Sequence, residues 1–176
     1  NGTIMSRRAC VERIEILPDG TIPTVEMTSL GFEESLSPYR ITDAEIACVL
    51  KGSGNIMITE RNVFERVITN ITSDSVIGYK YFDFGDDESS RTMEFAANIN
   101  GMGCDCHMHI LLDSEDGEEI GVCNIGRDSG VYNAVVKNVT GRHSLYFKIS
   151  VDYHGWTGEY FKSRNLFELK SFVFMK

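Results

Sequence analysis

The sequence predicts an all-β protein, a sandwich or a barrel, and three observations carry that expectation. Segments of roughly four to eight residues, rich in Val, Ile, Phe, Tyr and Thr, recur between turns built from Gly, Asp, Asn and Ser. Only three prolines occur in 176 residues, and no long stretch repeats its apolar residues at the helical period. Two stretches alternate strictly, Arg91-Thr92-Met93-Glu94-Phe95-Ala96-Ala97 and His107-Met108-His109-Ile110-Leu111-Leu112. A strand with one buried face requires that pattern, because successive side chains point to opposite sides.

Taken in order, Cys10-Val11-Glu12-Arg13-Ile14-Glu15-Ile16 alternates, and Leu17-Pro18-Asp19-Gly20-Thr21 has turn chemistry. Thr24-Val25-Glu26-Met27-Thr28 reads as the returning arm of a β-hairpin. Residues 31–40 hold Gly31, two glutamates, two serines and Pro38 without periodicity, which places a linker and a boundary near residue 38. Past it, strands are predicted at 41–51, 55–60, 65–71, 76–84, 91–100, 106–112, 119–125, 131–138, 143–153 and 166–175. Asp113-Ser114-Glu115-Asp116-Gly117-Glu118 is a polar hairpin turn between two of them. The organisation is therefore a 1–38 segment followed by a 39–176 sandwich.

Composition narrows the function classes. An apolar fraction of 42% and a charged fraction of 24% are those of an ordinary globular protein. No apolar run is long enough for a membrane helix. The formal charge of −9 repels phosphate backbones and acidic membranes, which leaves a neutral or cationic partner, with no nucleic acid and no membrane. Five cysteines leave at least one thiol free, which leans towards a reducing compartment. Asn1 opens the chain without a signal peptide, so it reads as a mature protein or a piece of a longer one.

The stretch Gly103-Cys104-Asp105-Cys106-His107-Met108-His109-Ile110 packs five possible metal ligands into six positions. On a strand, Cys104, Cys106, Met108 and Ile110 share one face, while Asp105, His107 and His109 share the other. They cannot close on one ion without a bulge, and no second cysteine pair stands at zinc-like spacing. Core cysteines and a surface histidine pair are expected, with no metal centre. The acidic pairs Glu33-Glu34, Asp86-Asp87-Glu88 and Glu118-Glu119 lie in turn-like or linker segments and read as solvated faces. Carboxylate-pair hydrolysis is not assigned to them. No catalytic residues are expected in this chain. Three glycosylation sequons, at Asn1, Asn70 and Asn138, are cheap matches.

Several stretches in sequential order resemble the C-terminal part of a bacterial arabinoxylan-degrading enzyme of the arabinofuranosidase or xylosidase type. In that arrangement a family 43 glycoside hydrolase propeller is followed by a family 6 carbohydrate-binding module. Arg8-Ala9-Cys10-Val11-Glu12 through Gly31 looks like the last hairpin of the catalytic unit. Leu36-Ser37-Pro38-Tyr39 and Asp43-Ala44-Glu45 look like the junction and the module's first strand. Tyr81-Phe82-Asp83-Phe84-Gly85, the Leu111-to-Gly121 hairpin and Val139-Thr140-Gly141-Arg142-His143-Ser144-Leu145-Tyr146-Phe147 resemble successive module motifs. Asn165-Leu166-Phe167 with Phe172 and Phe174 resembles the closing strand. The resemblance implies a jelly-roll β-sandwich of the galactose-binding-like kind.

It also implies where sugar would bind, and what this chain lacks there. Modules of that family hold sugars between two aromatic rings at a loop edge, with an asparagine on the last strand. Here the first ring position falls near Asn70 and the second near Ser129, with Tyr132 a core-facing residue close by. The asparagine position is Glu168, and the family's Gly-Asp-Trp reads Asp74-Ser75-Val76. The family's structural calcium uses acids of the first strand, matched by Asp43 and Glu45, and an aspartate whose position reads Lys170. A salt bridge from Lys170 to Asp43 or Glu45 in place of the ion is therefore expected, and no other cofactor.

One stretch offers other rings. Val151-Asp152-Tyr153-His154-Gly155-Trp156-Thr157-Gly158-Glu159-Tyr160-Phe161 holds the single tryptophan in a Gly-broken loop beside the resembled cleft edge. Two readings stand: an aromatic loop for sugar, or rings that cover the sandwich end or a neighbouring domain. The candidate carbohydrate-binding residues are Trp156, Tyr153, Tyr160, Glu168 and Asn70. The function that follows is a non-catalytic carbohydrate-binding module of a xylan-, arabinoxylan- or arabinan-degrading hydrolase, with a neutral polysaccharide and the parent's catalytic domain as partners. The alternative is a structural companion that packs on the catalytic unit.

Overall fold

In the computed structural model, described for residues 11–176, eleven strands form two packed antiparallel sheets. The strands are β1 (Thr42–Asp43), β2 (Val49–Lys51), β3 (Met57–Asn62), β4 (Glu65–Thr69), β5 (Val76–Asp83) and β6 (Thr92–Gly101). They continue with β7 (Cys106–Leu112), β8 (Glu119–Ile125), β9 (Gly130–Lys137), β10 (Arg142–Ser150) and β11 (Phe167–Met175). One sheet runs β3-β4-β11-β6-β9, with β1 also on β11; the other runs β2-β5-β10-β7-β8. Sequence neighbours such as β10 and β11 lie in different sheets, so the chain crosses the sandwich repeatedly, as in a jelly roll.

The core is aromatic. Phe172 lies 4.9 Å from both Tyr79 and Phe147, and Phe95 lies 5.5 Å from Phe147, in edge-on or tilted geometries. These rings come from β11, β5, β10 and β6, so both sheets are joined through one cluster. The only polar atom of the cluster is satisfied: Tyr79 donates its hydroxyl to Ala44 O at 3.1 Å. β7 behaves as its alternation predicts. Cys106, Met108 and Ile110 are buried, while His107 and His109 stand half-exposed on the other face.

Four local expectations need correction. Leu17 N donates to Thr21 O at 2.9 Å and Gly20 N to Leu17 O at 2.8 Å, so the expected turn forms. Its arms carry no ladder over 11–16 and 24–28, and Cys10 lies outside the described residues. The arms meet instead through Thr28 N, which donates to the Glu12 carboxylate at 2.6 Å. Two exposed arms have no sheet to share their edges with, and an isolated hairpin is marginal in water. The single strand predicted at 41–51 is broken by a 3₁₀ turn, Ala44–Ile46, which buries Ala44 against the core. The loop predicted after β10 holds a short helix, α1 (Gly155–Phe161).

The fourth correction is in β11, which carries a bulge between Leu169 and Ser171. It shifts the inward set from Phe167 and Leu169 to Phe172 and Phe174. The 1–38 segment is stitched to the sandwich from residue 26 onward, where the Glu26 carboxylate accepts from Lys80 Nζ and the Tyr81 hydroxyl, each at 2.7 Å. Ser29 N donates to Lys80 O at 2.7 Å, Leu36 N to Tyr81 O at 2.9 Å and Asp83 N to Leu36 O at 2.9 Å. β5 therefore shares one edge between β2 and residues 29–36.

Candidate functional site

One end of the sandwich gathers the loops at 52–55, 70–75, 101–105 and 126–129 with the α1 region. Ser53 holds three of them together: its hydroxyl donates to Lys162 O at 2.5 Å, and its amide donates to Asp74 Oδ2 at 3.2 Å. Thr72 Oγ1 donates to the same carboxylate at 2.6 Å. Asp74, at the place of the resembled family's Gly-Asp-Trp, is thus a loop clamp. On the other side, Gly101 N donates to Ser129 Oγ at 3.0 Å. A side chain at Gly101 would collide with the backbone of Arg127 and Asp128, so glycine there lets the 126–129 loop lie against β6.

Between these loops sits a buried carboxylate. Glu168 is 2% exposed, yet every partner it needs is present. Arg61 Nε donates to its Oε2 at 3.1 Å, and Arg61 Nη2 engages Oε1. Thr69 Oγ1 donates to Oε1 at 2.9 Å, and Asn100 Nδ2 to Oε2 at 3.1 Å. Asn100 is its partner in register on β6. Four charge-assisted bonds repay the desolvation of the carboxylate. The Arg61 side chain remains 44% exposed, so the pair reaches solvent through the arginine and not the carboxylate. Asn165 extends the network, donating to Thr69 Oγ1 at 3.3 Å and accepting from Ile71 N at 3.0 Å.

The aromatic residues lie next to this network. Phe161 is buried, and its carbonyl accepts from Ser73 N at 3.1 Å, which docks α1 on the 70–75 loop. Tyr153 stacks on Phe161 with centroids 4.7 Å apart and planes 22° apart. Trp156 is 83% exposed and stands four residues before Tyr160 on α1, so the two rings share a helix face. Arg164 Nη1 donates to the Tyr160 hydroxyl at 2.9 Å, and Nη2 to Met102 O at 3.2 Å, a strut across the loops. Asn70, half-buried with φ of 58°, donates to Asn55 O at 3.3 Å. Tyr132 packs on the core and donates its hydroxyl to Asp128 O at 2.8 Å.

Sequence reasoning missed Arg61, Asn100 and Arg164. Nothing in their local sequence sets them apart; they matter because β3, β6 and the α1 region converge. The helix had a signal, since Trp156, Tyr160 and Phe161 stand at i, i+4 and i+5.

Asp43, Glu45, Glu65 and Lys170 line a separate recess near the β3–β4 turn. Lys170 is bridged by Glu65, and Arg66 pairs with Glu45 at 3.2 Å. The adjacent β4 supplies the Glu65 carboxylate. The recess carboxylates Glu65 and Glu45 are thus paired with two cations, Lys170 and Arg66.

Elsewhere, Cys106 and Cys123 are driven up to about 12 and about 11 by burial, so both stay thiols. Among the described residues no three His, Cys, Asp or Glu side chains converge as a metal site. His107 donates to two acceptors, Asn124 Oδ1 at 2.8 Å and Asp152 Oδ2 at 3.1 Å. Only the imidazolium donates to both, so these bonds raise its pKa above 6.5, Asn124 contributing most and Asp152 next. A raised folded pKa stabilises the protonated protein. That contribution is present below the unfolded pKa and is lost as pH rises through the folded one. His107→Gln is therefore expected to lower the melting temperature at about pH 5.5 and to have little effect at about pH 8.5. Equal effects at both pH values, by scanning calorimetry, would refute the clamp.

The fold is that of a family 6 carbohydrate-binding module. A module of that family from Clostridium cellulolyticum, solved with xylose, superposes with TM-score 0.65 at 23% identity, covering 80% of this chain and all of that one. A second, from Clostridium stercorarium with cellobiose, gives TM-score 0.64 at 20% identity over 81% of this chain and 97% of that one. The Bacillus subtilis family 43 arabinoxylan arabinofuranohydrolase matches 94% of this chain at TM-score 0.65 and 22% identity, over 33% of its own length. A xylosidase/arabinosidase of Thermoclostridium stercorarium is 36% identical over 103 residues. That match spans 47% of this chain and 22% of the relative. No family model matches the sequence.

Proposed function

We propose that this chain is a non-catalytic carbohydrate-binding module of a glycoside hydrolase that degrades xylan, arabinoxylan or arabinan. One observation carries the reading: an exposed aromatic face, Trp156 with Tyr160, on a helix docked against the 70–75 loop at the loop end of this fold. A sugar ring has an apolar face that an indole covers and hydroxyls that polar groups bind. The half-exposed Arg61 side chain donates to ligand hydroxyls, and Glu168 holds it in place from below. Asn70 stands at the rim. The names of the relatives support plant cell-wall polysaccharide as the ligand class, and the parent's catalytic domain as the chain's partner.

Trp156 is the single tryptophan, so its fluorescence reads the site directly. Xylan or arabinoxylan oligosaccharides are expected to shift its emission to the blue. Trp156→Ala is expected to weaken binding about tenfold or more by calorimetry, about 1.4 kcal/mol or more. Tyr160→Ala should cost less, since Arg164 holds that ring at its edge. Silence across xylan, arabinoxylan and arabinan would refute the reading.

The structural-companion alternative keeps one supporting observation. Ile14, Ile16, Ile22, Val25, Met27 and Phe32 are exposed on the segment stitched to β5. Such a concentration of exposed apolar residues suits a covered surface.

A further inference from the structure

A second recess lies at the same end of the sandwich, walled by the entry of β7, the end of β8, the start of β9 and the loop before α1. Its volume of about 590 Å³ falls inside the range of about 300–1,000 Å³ of small-molecule sites. Tyr153 and Tyr132 supply its rings, and Asp105, His107, Asn124 and Asp152 its polar groups. Tyr153 is a fixed plate: Phe161 backs one face, and 42% of the residue stays exposed. Gly126 keeps one wall low, because a Cβ there would meet the Tyr132 hydroxyl at 3.1 Å.

The polar groups are pre-arranged by one another. Arg127 Nε donates to Asp105 Oδ2 at 2.9 Å, and His107 bridges Asn124 Oδ1 and Asp152 Oδ2. Those bonds use Asn124 through its oxygen, and among the described residues its amide N–H groups have no protein partner. A stacking plate ringed by two carboxylates, an amide donor and an imidazole matches an uncharged polyol ring. Two carboxylates disfavour an anion.

We propose that this recess is a second sugar subsite, taking an uncharged glycosyl unit with its apolar face on Tyr153 and its hydroxyls on Asp105, Asn124 and Asp152. It rests on the carbohydrate-binding reading above and extends it. Tyr153 and Trp156 are three residues apart, hence at most about 11 Å between their Cα atoms. An oligosaccharide longer than a disaccharide therefore has a second ring within reach of the first.

The test is an amide chemical-shift titration of the 176-residue chain with xylobiose, xylohexaose and arabinohexaose, with calorimetry on Asn124→Ala and Tyr153→Ala. Asp105, Asn124 and Gly126 are expected to shift with a hexasaccharide. Asn124→Ala should weaken hexasaccharide binding about five- to tenfold while leaving xylobiose binding unchanged, and Tyr153→Ala should weaken hexasaccharide binding at least as much. Asn124 is exposed on β8, so its variant separates loss of contact from loss of fold. Shifts confined to Arg61, Glu168 and α1 would overturn the subsite and leave the module reading intact. No shift with any of the three sugars would overturn both.

Discussion

Arg61→Ala is expected to destabilise the chain by about 2–4 kcal/mol. At this chain length that lowers the melting temperature by about 4–16 °C. The reason is asymmetry. Glu168 is 2% exposed on β11, and removing Arg61 leaves its negative charge inside with only the Thr69 and Asn100 hydrogen bonds. Arg61 itself is half in solvent and loses little when its partner goes. Glu168→Gln should therefore cost less than Arg61→Ala, and the double variant Arg61→Ala/Glu168→Gln should be more stable than Arg61→Ala alone. A double-mutant cycle read by thermal unfolding checks this. Additive losses would mean that the two side chains do not act as a pair.

Phe172→Ala is expected to cost about 3–5 kcal/mol, a fall of about 6–20 °C in melting temperature. Its ring touches four others, with centroids 4.9 Å away at Tyr79 and Phe147, 5.9 Å at Phe82 and 6.1 Å at Phe95. Both sheets lose contacts at once, and a cavity remains because the surrounding β-strands cannot collapse around it. Phe172→Leu refills most of the volume and should recover most of the loss. Phe64→Ala is the contrast: Phe64 is 98% exposed in the β3–β4 turn, so its loss should stay within about 0.5 kcal/mol. Equal effects at the two phenylalanines would refute this placement of the core.

Segments rich in β-formers between turns were enough to place the strands from β3 through β11, and the alternation of β6 and β7 recorded which face is buried. It also settled Cys106-His107-Met108-His109, whose thiols face the core and whose imidazoles face out. It failed where the backbone departs from regular alternation. The bulge in β11 inverts the facing of its second half, and no residue type at Lys170 or Ser171 announces it. The 3₁₀ turn at Ala44–Ile46 and the helix α1 are also single-turn or two-turn features fixed by docking. Short helices have little stability of their own, so the packing of Phe161 decides what Gly155 and Gly158 disfavour.

The site was legible in part, and the division follows the same rule. Sequence alone singled out Trp156, Tyr153 and Tyr160, because a tryptophan between glycines and tyrosines is a local anomaly. It placed Glu168 on the last strand but could not show that the carboxylate is buried and held by Arg61, Thr69 and Asn100. Those partners lie 107, 99 and 68 residues away along the chain. Likewise it placed Lys170 among the acids of the first strand but could not show that Glu65 of β4 bridges it. What the amino-acid sequence determined was whatever one residue and its near neighbours encode: alternation, turns and exposed rings. Only the tertiary structure decided which charge meets which, because ion pairs and buried hydrogen bonds are set by distance in space across strands far apart in sequence.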